Sequence, residues 1–196
     1  MIPGKKNSPI DECNSRCLVL FEKRFLASIK DWRNAQMPVL RQRDLLTDSD
    51  QEEWYKKISG DQSQLIFGLS LRDKNKMTHI GYCGITNIDV QNSRGEISFL
   101  VDPKRAADEK TYEADMLAAL AMLCKYAFAT LRLHKLFADT FSFRKKHTAI
   151  LEKFGFNLDG RMREHYLSEG RFIDSLIHSI LISDKGADIW TGKTKG

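Results

Sequence analysis

The chain is sparing with the residues that mark several protein classes. It has four cysteines in 196 residues, too few for a disulfide-stapled miniprotein. Four prolines and twelve glycines exclude a collagen-like fibre. No apolar run approaches the roughly 18–20 residues of a bilayer-spanning helix. Met1-Ile-Pro-Gly-Lys-Lys has no apolar stretch of a secretory signal, so a cytoplasmic, reducing location and no membrane partner are expected. Cys13 and Cys17 stand as C-x3-C with no second pair and no nearby histidine, and no metal site is expected. Cys83 and Cys124 lie in apolar stretches and read as buried thiols. Excess charge of one sign is small: 31 Lys and Arg against 26 Asp and Glu leave +5, which suits an anionic small ligand as well as nucleic acid. No zinc, RNA-recognition or helix-turn-helix pattern supports the second, so a nucleic-acid partner is not expected.

What is present is an ordinary globular mix, 42% hydrophobic and 29% charged, long enough for one cored domain. Residues 1–15 read as a flexible segment, 16–183 as a single domain and 184–196 as a flexible tail. Arg16–Phe21 reads as a strand, and Phe25–Asn34 has apolar residues at helical spacing. Ser49 followed by Glu52 predicts a capping box opening a second helix that ends near Gly60. Gln64–Arg72, His79–Ile88 and Arg94–Val101 read as three strands joined by short turns, an antiparallel meander. Asp102–Lys110 reads as a charged irregular segment, and Thr111–Leu131 as the longest helix. A strand at Lys135–Phe141, a helix at Lys145–Phe154 closed by Gly155, and strands Phe156–Tyr166 and Arg171–Ile182 complete the chain. The order gives an α+β, mixed α/β, fold class.

Several strings carry a resemblance: DWRN at Asp31–Asn34, HIGYCGITNID at His79–Asp89, GEISFLVD at Gly95–Asp102, and KYAFATLRLHKLFADTFSF at Lys125–Phe143. ILEKFGFNLDGRMREHYLSEGRFIDSLIHSILI at Ile150–Ile182 continues them. Together they resemble the GNAT superfamily of acyl-CoA N-acyltransferases, and most closely its branch of ribosomal-protein alanine and nucleotide-aminosugar acetyltransferases. The resemblance implies a central, mostly antiparallel sheet flanked by helices. It implies transfer of an acetyl group from acetyl-CoA to a primary amine, on a small molecule or a peptide. A homodimer is compatible with it. The pantetheine arm is expected along Phe99, Leu100 and Val101, and the pyrophosphate on the start of the following helix, at Lys110, Thr111, Ala114, Asp115 and Met116. Glu96 is the expected base, able to act through a water. Trp32, Arg33, Asn34, Asn87, His165 and Tyr166 are the expected acceptor contacts.

The chain departs from the family's pattern at the cofactor. The phosphate loop Gln/Arg-x-x-Gly-x-Gly/Ala falls on Thr111–Met116, where Ala114 and Met116 replace both glycines. Glu113 and Asp115 put negative charge beside an anion site. A cofactor-contacting Asn becomes Arg144, and a Tyr that serves as general acid becomes Leu151, which has no proton to give. Lys104, Arg105 and Lys110, with Arg144 and Lys145, are the cations expected to compensate. The alternative reading is a protein of this fold that has lost or altered acetyl-CoA binding, as a binding or regulatory module or with another acyl carrier.

Overall fold

The computed structural model describes residues 9–184. Its strands are β1 Asp11–Cys13, β2 Arg16–Leu20, β3 Leu65–Asp73, β4 Lys76–Asp89, β5 Arg94–Val101, β6 Lys135–Phe141, β7 Asn157–Ser168 and β8 Arg171–Leu181. Its helices are α1 Leu26–Ala35, α2 Asp48–Gly60, α3 Pro103–Ala107, α4 Glu109–Lys125 and α5 Lys145–Phe154. The strands form one mixed sheet in the order β1-β2-β3-β4-β5-β6-β8-β7. The pairs β1–β2, β2–β3, β3–β4, β6–β8 and β7–β8 are antiparallel, and β5–β6 is parallel, joined through α4 as a parallel pair requires.

The packing divides the chain into two compact units. The first comprises residues to Thr86 with Ser98–Met122, and the second Asn87–Ile97 with the residues from Leu123. In the first, Cys17, Val19, Phe25, Ile29, Ile66, Tyr82 and Leu100 form a buried cluster, with Trp32, Trp54 and Ile58 against it. Gly81 is required here, because a Cβ would lie 2.2 Å from the carbonyl oxygen of Leu100. In the second, β8 pairs with β6 along its length, and Gly155 closes α5 in the left-handed region at φ 116°.

Sequence and structure differ at four places. Residues 1–8 and 185–196 of the expected flexible ends lie outside the described residues, but Asp11–Cys13 inside that stretch is a strand on β2. The left-handed pair Asn14 and Ser15 makes the tight turn between them. The cap of α2 is Thr47, not Ser49: its hydroxyl accepts from the Asp50 amide at 3.2 Å, and Asp50 accepts from the Thr47 amide at 2.7 Å. Thr47→Ala is expected to cost about 1 kcal/mol in thermal or urea unfolding, the usual worth of such a cap. Most of Asp102–Lys110 is helical: Asp102 caps α3 at the Lys104 amide, and α4 begins at Glu109 after Asp108. The long helix starts at Glu109 and, past Lys125, widens into a π turn over Tyr126–Thr130.

Candidate functional site

The second unit assembles a polar group around Glu96. The β5–β6 ladder runs from Arg94↔Lys135 to Glu96↔Phe137, so Glu96 stands at its last pair. Asn87, exposed and in the left-handed region at φ 49°, donates its side-chain amide to Glu96 Oε2 at 2.7 Å. Asparagine tolerates that conformation better than most residues, and the kink turns it onto the carboxylate. Alternation along β6 puts Asp139 on the same face as Phe137, the partner of Glu96. Tyr166 donates its hydroxyl to Asp139 Oδ2 at 2.8 Å and packs edge-on against Phe141. His165 is exposed and meets the Tyr166 ring at 4.6 Å. Two carboxylates on one sheet face, each oriented by a neighbouring donor, are suited to bind a cation and to accept a proton from it. Asp139 went unread in the sequence. Its signal is the alternation Lys135, Phe137, Asp139, which repeats the outward face of the strand.

In the first unit the head of α4 is partly buried and partly open to a cleft. Asp115 is fully buried and bound by Arg16 Nε at 3.0 Å and by Arg105 at 2.6 and 2.8 Å. The bond to Asp115 holds the Arg105 guanidinium above its usual range. Met116 is 1% exposed and belongs to the core. The amide of Thr111 is occupied by the side chain of Asp108 at 2.8 Å, and those bonds hold the Asp108 carboxyl below the usual range. Lys110 and Ala114 line an open cleft with Asn14, Arg16, Glu113 and Leu117. Of the residues expected at the phosphates, Asp115 and Met116 are thus buried and the Thr111 amide is paired, while Lys110 and Ala114 face the cleft. The segment is continuous helix, as its sequence predicts. Arg105 spends its Nε and one terminal nitrogen on Asp115.

Other expected contacts also serve the fold. Trp32 stacks on His79 with ring centres 5.2 Å apart. Arg33 donates to Tyr82 Oη and to Gln42, both at 3.1 Å. Asn34 bonds Leu46 through both its amide and its carbonyl and accepts from Gln42, fastening the loop after α1. These contacts give Trp32, Arg33 and Asn34 of the DWRN string structural partners. Leu100 and Val101 are buried, and the Val101 carbonyl accepts from Gln36 at 2.8 Å. Phe99 is half-buried, edge-on to Tyr112 at 5.8 Å. In the second unit Arg144 precedes α5 and approaches His147 Nδ1 at 3.3 Å, Lys145 is exposed, and Leu151 is fully buried. His134 fixes a turn through its amide to the Ser93 carbonyl at 2.7 Å. His178 is fully buried and faces Glu152 at 3.2 Å. Among the described residues, no group of three His, Cys, Asp or Glu side chains is placed to hold a metal, and no helix is long and apolar enough to cross a membrane.

Residues 18–177 match the model of the acetyltransferase (GNAT) domain family. A similar protein is the uncharacterised N-acetyltransferase p20 of Bacillus licheniformis, 29% identical over 102 residues. That match covers 52% of this chain and 54% of that protein, so the chain spans about half the length of this relative. Among solved structures, the spermidine N-acetyltransferase of Vibrio cholerae in complex with CoA and spermine superposes with a TM-score of 0.76 at 22% identity, covering 88% of this chain and 98% of that one. Another, a putative acetyltransferase, gives 0.70 at 15% identity over 92% of this chain and 89% of that one. At such identities the likeness shows the fold.

Proposed function

The chain belongs to the GNAT acetyltransferase family, and from that premise we propose that it transfers an acetyl group from acetyl-CoA, the donor used by the family's acetyltransferases, to a primary amine. The observation that carries this reading is the Asn87–Glu96 pair at the end of the β5–β6 ladder. Glu96 binds the acceptor's ammonium and removes its proton, directly or through one water, leaving the neutral amine that is nucleophilic. Asn87 is a positioning residue that holds the carboxylate. Asp139, oriented by Tyr166, supplies a second negative site on the same face. Acetyl-CoA supplies an acetyl group activated as a thioester. Two of the groups expected at its phosphates, the Asp115 carboxylate and the Thr111 amide, are already paired.

An acceptor with a second cation, such as a polyamine, suits the two carboxylates, and the spermidine enzyme of like fold is in keeping with it. A nucleotide-linked aminosugar and a protein N-terminus remain the other primary amines to be compared. Glu96→Gln is expected to lower kcat at neutral pH by about tenfold or more, the scale of general-base catalysis. Release of free CoA thiol across a panel of spermidine, an aminosugar nucleotide and an N-terminal alanine peptide measures it. An unchanged rate in the variant removes Glu96 from the reaction.

The head of α4 favours a second reading, a protein of this fold whose use of acetyl-CoA is lost or altered. No shift in thermal stability at saturating acetyl-CoA would support it, since a ligand that binds only the folded chain must raise the melting temperature.

A further inference from the structure

The β7–β8 hairpin is held in two registers that differ by two residues. At its tip Ser168 pairs with Arg171, and Glu169 and Gly170, both left-handed at φ 49° and 73°, make the two-residue turn that such dihedrals favour. At its middle Met162 pairs with Ser175, which β6 fixes in turn through Phe141. Continued from Met162, the ladder would set Glu164 opposite Ile173. Tyr166 stands there instead, so Arg163, Glu164 and His165 all fall opposite Asp174 as an exposed bulge. Ile173, Ser175 and Ile177 alternate onto one face, and Ile177 pairs with Asp139. The bulge therefore brings the Tyr166 hydroxyl, rather than a third carboxylate, to the face of Asp139, where it donates to Oδ2 at 2.8 Å.

Asp174 holds that bulge. Its Oδ1 accepts the amide of Glu164 at 2.7 Å, and its Oδ2 accepts from Arg161 on the near side of the bulge. Its own carbonyl accepts the Ser142 amide at 2.9 Å, which joins the clamp to the residue after β6. The Glu164 amide, and then Arg161, hold the Asp174 carboxyl below its usual range, so it stays an acceptor at neutral pH. Glu164 lies in the left-handed region at φ 52°, uncommon for a residue with a side chain, and it needs such a partner to stay there. We propose that Asp174 is a positioning residue for the acceptor: by clamping the β7 bulge it delivers Tyr166 to Asp139 and so builds the site for an amine's second ammonium. The proposal rests on the acyl-transfer reading above and deepens it to the choice of acceptor.

Steady-state acetylation of spermidine and of an amidated alanine peptide with a single ammonium, by the full chain and its variants, tests this. Asp174→Ala is expected to raise KM for spermidine about tenfold, with kcat and the KM for the peptide within about twofold of the parent chain. Asp174→Asn keeps an acceptor for the Glu164 amide and should restore KM for spermidine to within about threefold. Tyr166→Phe removes the bond to Asp139 and should match the alanine variant. An unchanged KM for spermidine in Asp174→Ala, or an equal loss on both amines in the alanine and asparagine variants, overturns the proposal and leaves the acyl-transfer reading standing. A parent chain that acetylates other amines but not spermidine overturns it in the same way. Acetylation of no amine overturns the two together.

Discussion

Asp115→Ala is expected to lower the unfolding free energy by about 3 kcal/mol, at the low end for removing one member of a buried ion group. The side chain is fully buried, whereas Arg16 and Arg105 keep 19% and 22% of their side-chain exposure. Water therefore relieves part of the loss when the carboxylate goes. Asp115→Asn keeps the volume and one carbonyl acceptor but not the charge, and should fall between the alanine variant and the parent chain. Urea unfolding of the three proteins decides the matter. A change below about 1 kcal/mol for alanine would mean that solvent already carries the arginines.

Acid should cost a comparable amount through His79. Its ring lies between Phe25 and Trp32, with centres 4.0 and 5.2 Å away. Burial, and after it the positive charge of Arg24, pushes the imidazole from 6.5 down to about 4. The unfolded chain therefore takes up a proton between pH 6.5 and 4 that the folded chain refuses. Stability from this group is complete above pH 6.5 and is lost as pH falls toward 4, by about 3 kcal/mol in all at 1.36 kcal/mol per unit. His147 is held below its usual range by burial, then by Arg144 and His178, and works in the same direction. His79→Phe keeps an aromatic ring in the stack without a titrating group. The difference between the two stability-pH curves isolates His79. Parallel curves between pH 4 and 6.5 would show that the ring is protonated without penalty.

The sequence carried the fold where local rules and tertiary packing agree. Apolar runs bounded by short turns marked β3, β4, β5 and β6 to within a few residues, and Gly155 marked the end of α5 because its φ of 116° suits glycine. It misled where a short polar side chain decided between two local states. Thr47 and Ser49 are both competent caps, and the Asp50 carboxylate reaching back to the Thr47 amide selects the first. Asp102 and Asp108 turned a charged stretch into helix by capping it, which composition alone does not reveal.

The candidate site divides in the same way. Glu96, Asn87, His165 and Tyr166 were candidates through the family resemblance. Asp139 was not, because its importance comes from the β5–β6 register that puts Phe137 beside Glu96. Asp115 looked like a liability beside an anion. Its partner Arg16 lies 99 residues away in the chain, so no local pattern could show that the charge was already neutralised.

The most direct test of the central claim is the mass spectrum of the amine after incubation of the chain with acetyl-CoA. The account predicts an amine carrying one acetyl group, formed in step with free CoA thiol and slowed about tenfold or more by Glu96→Gln. Amines left unmodified across the panel, or thiol released with no acetylated product, would contradict it.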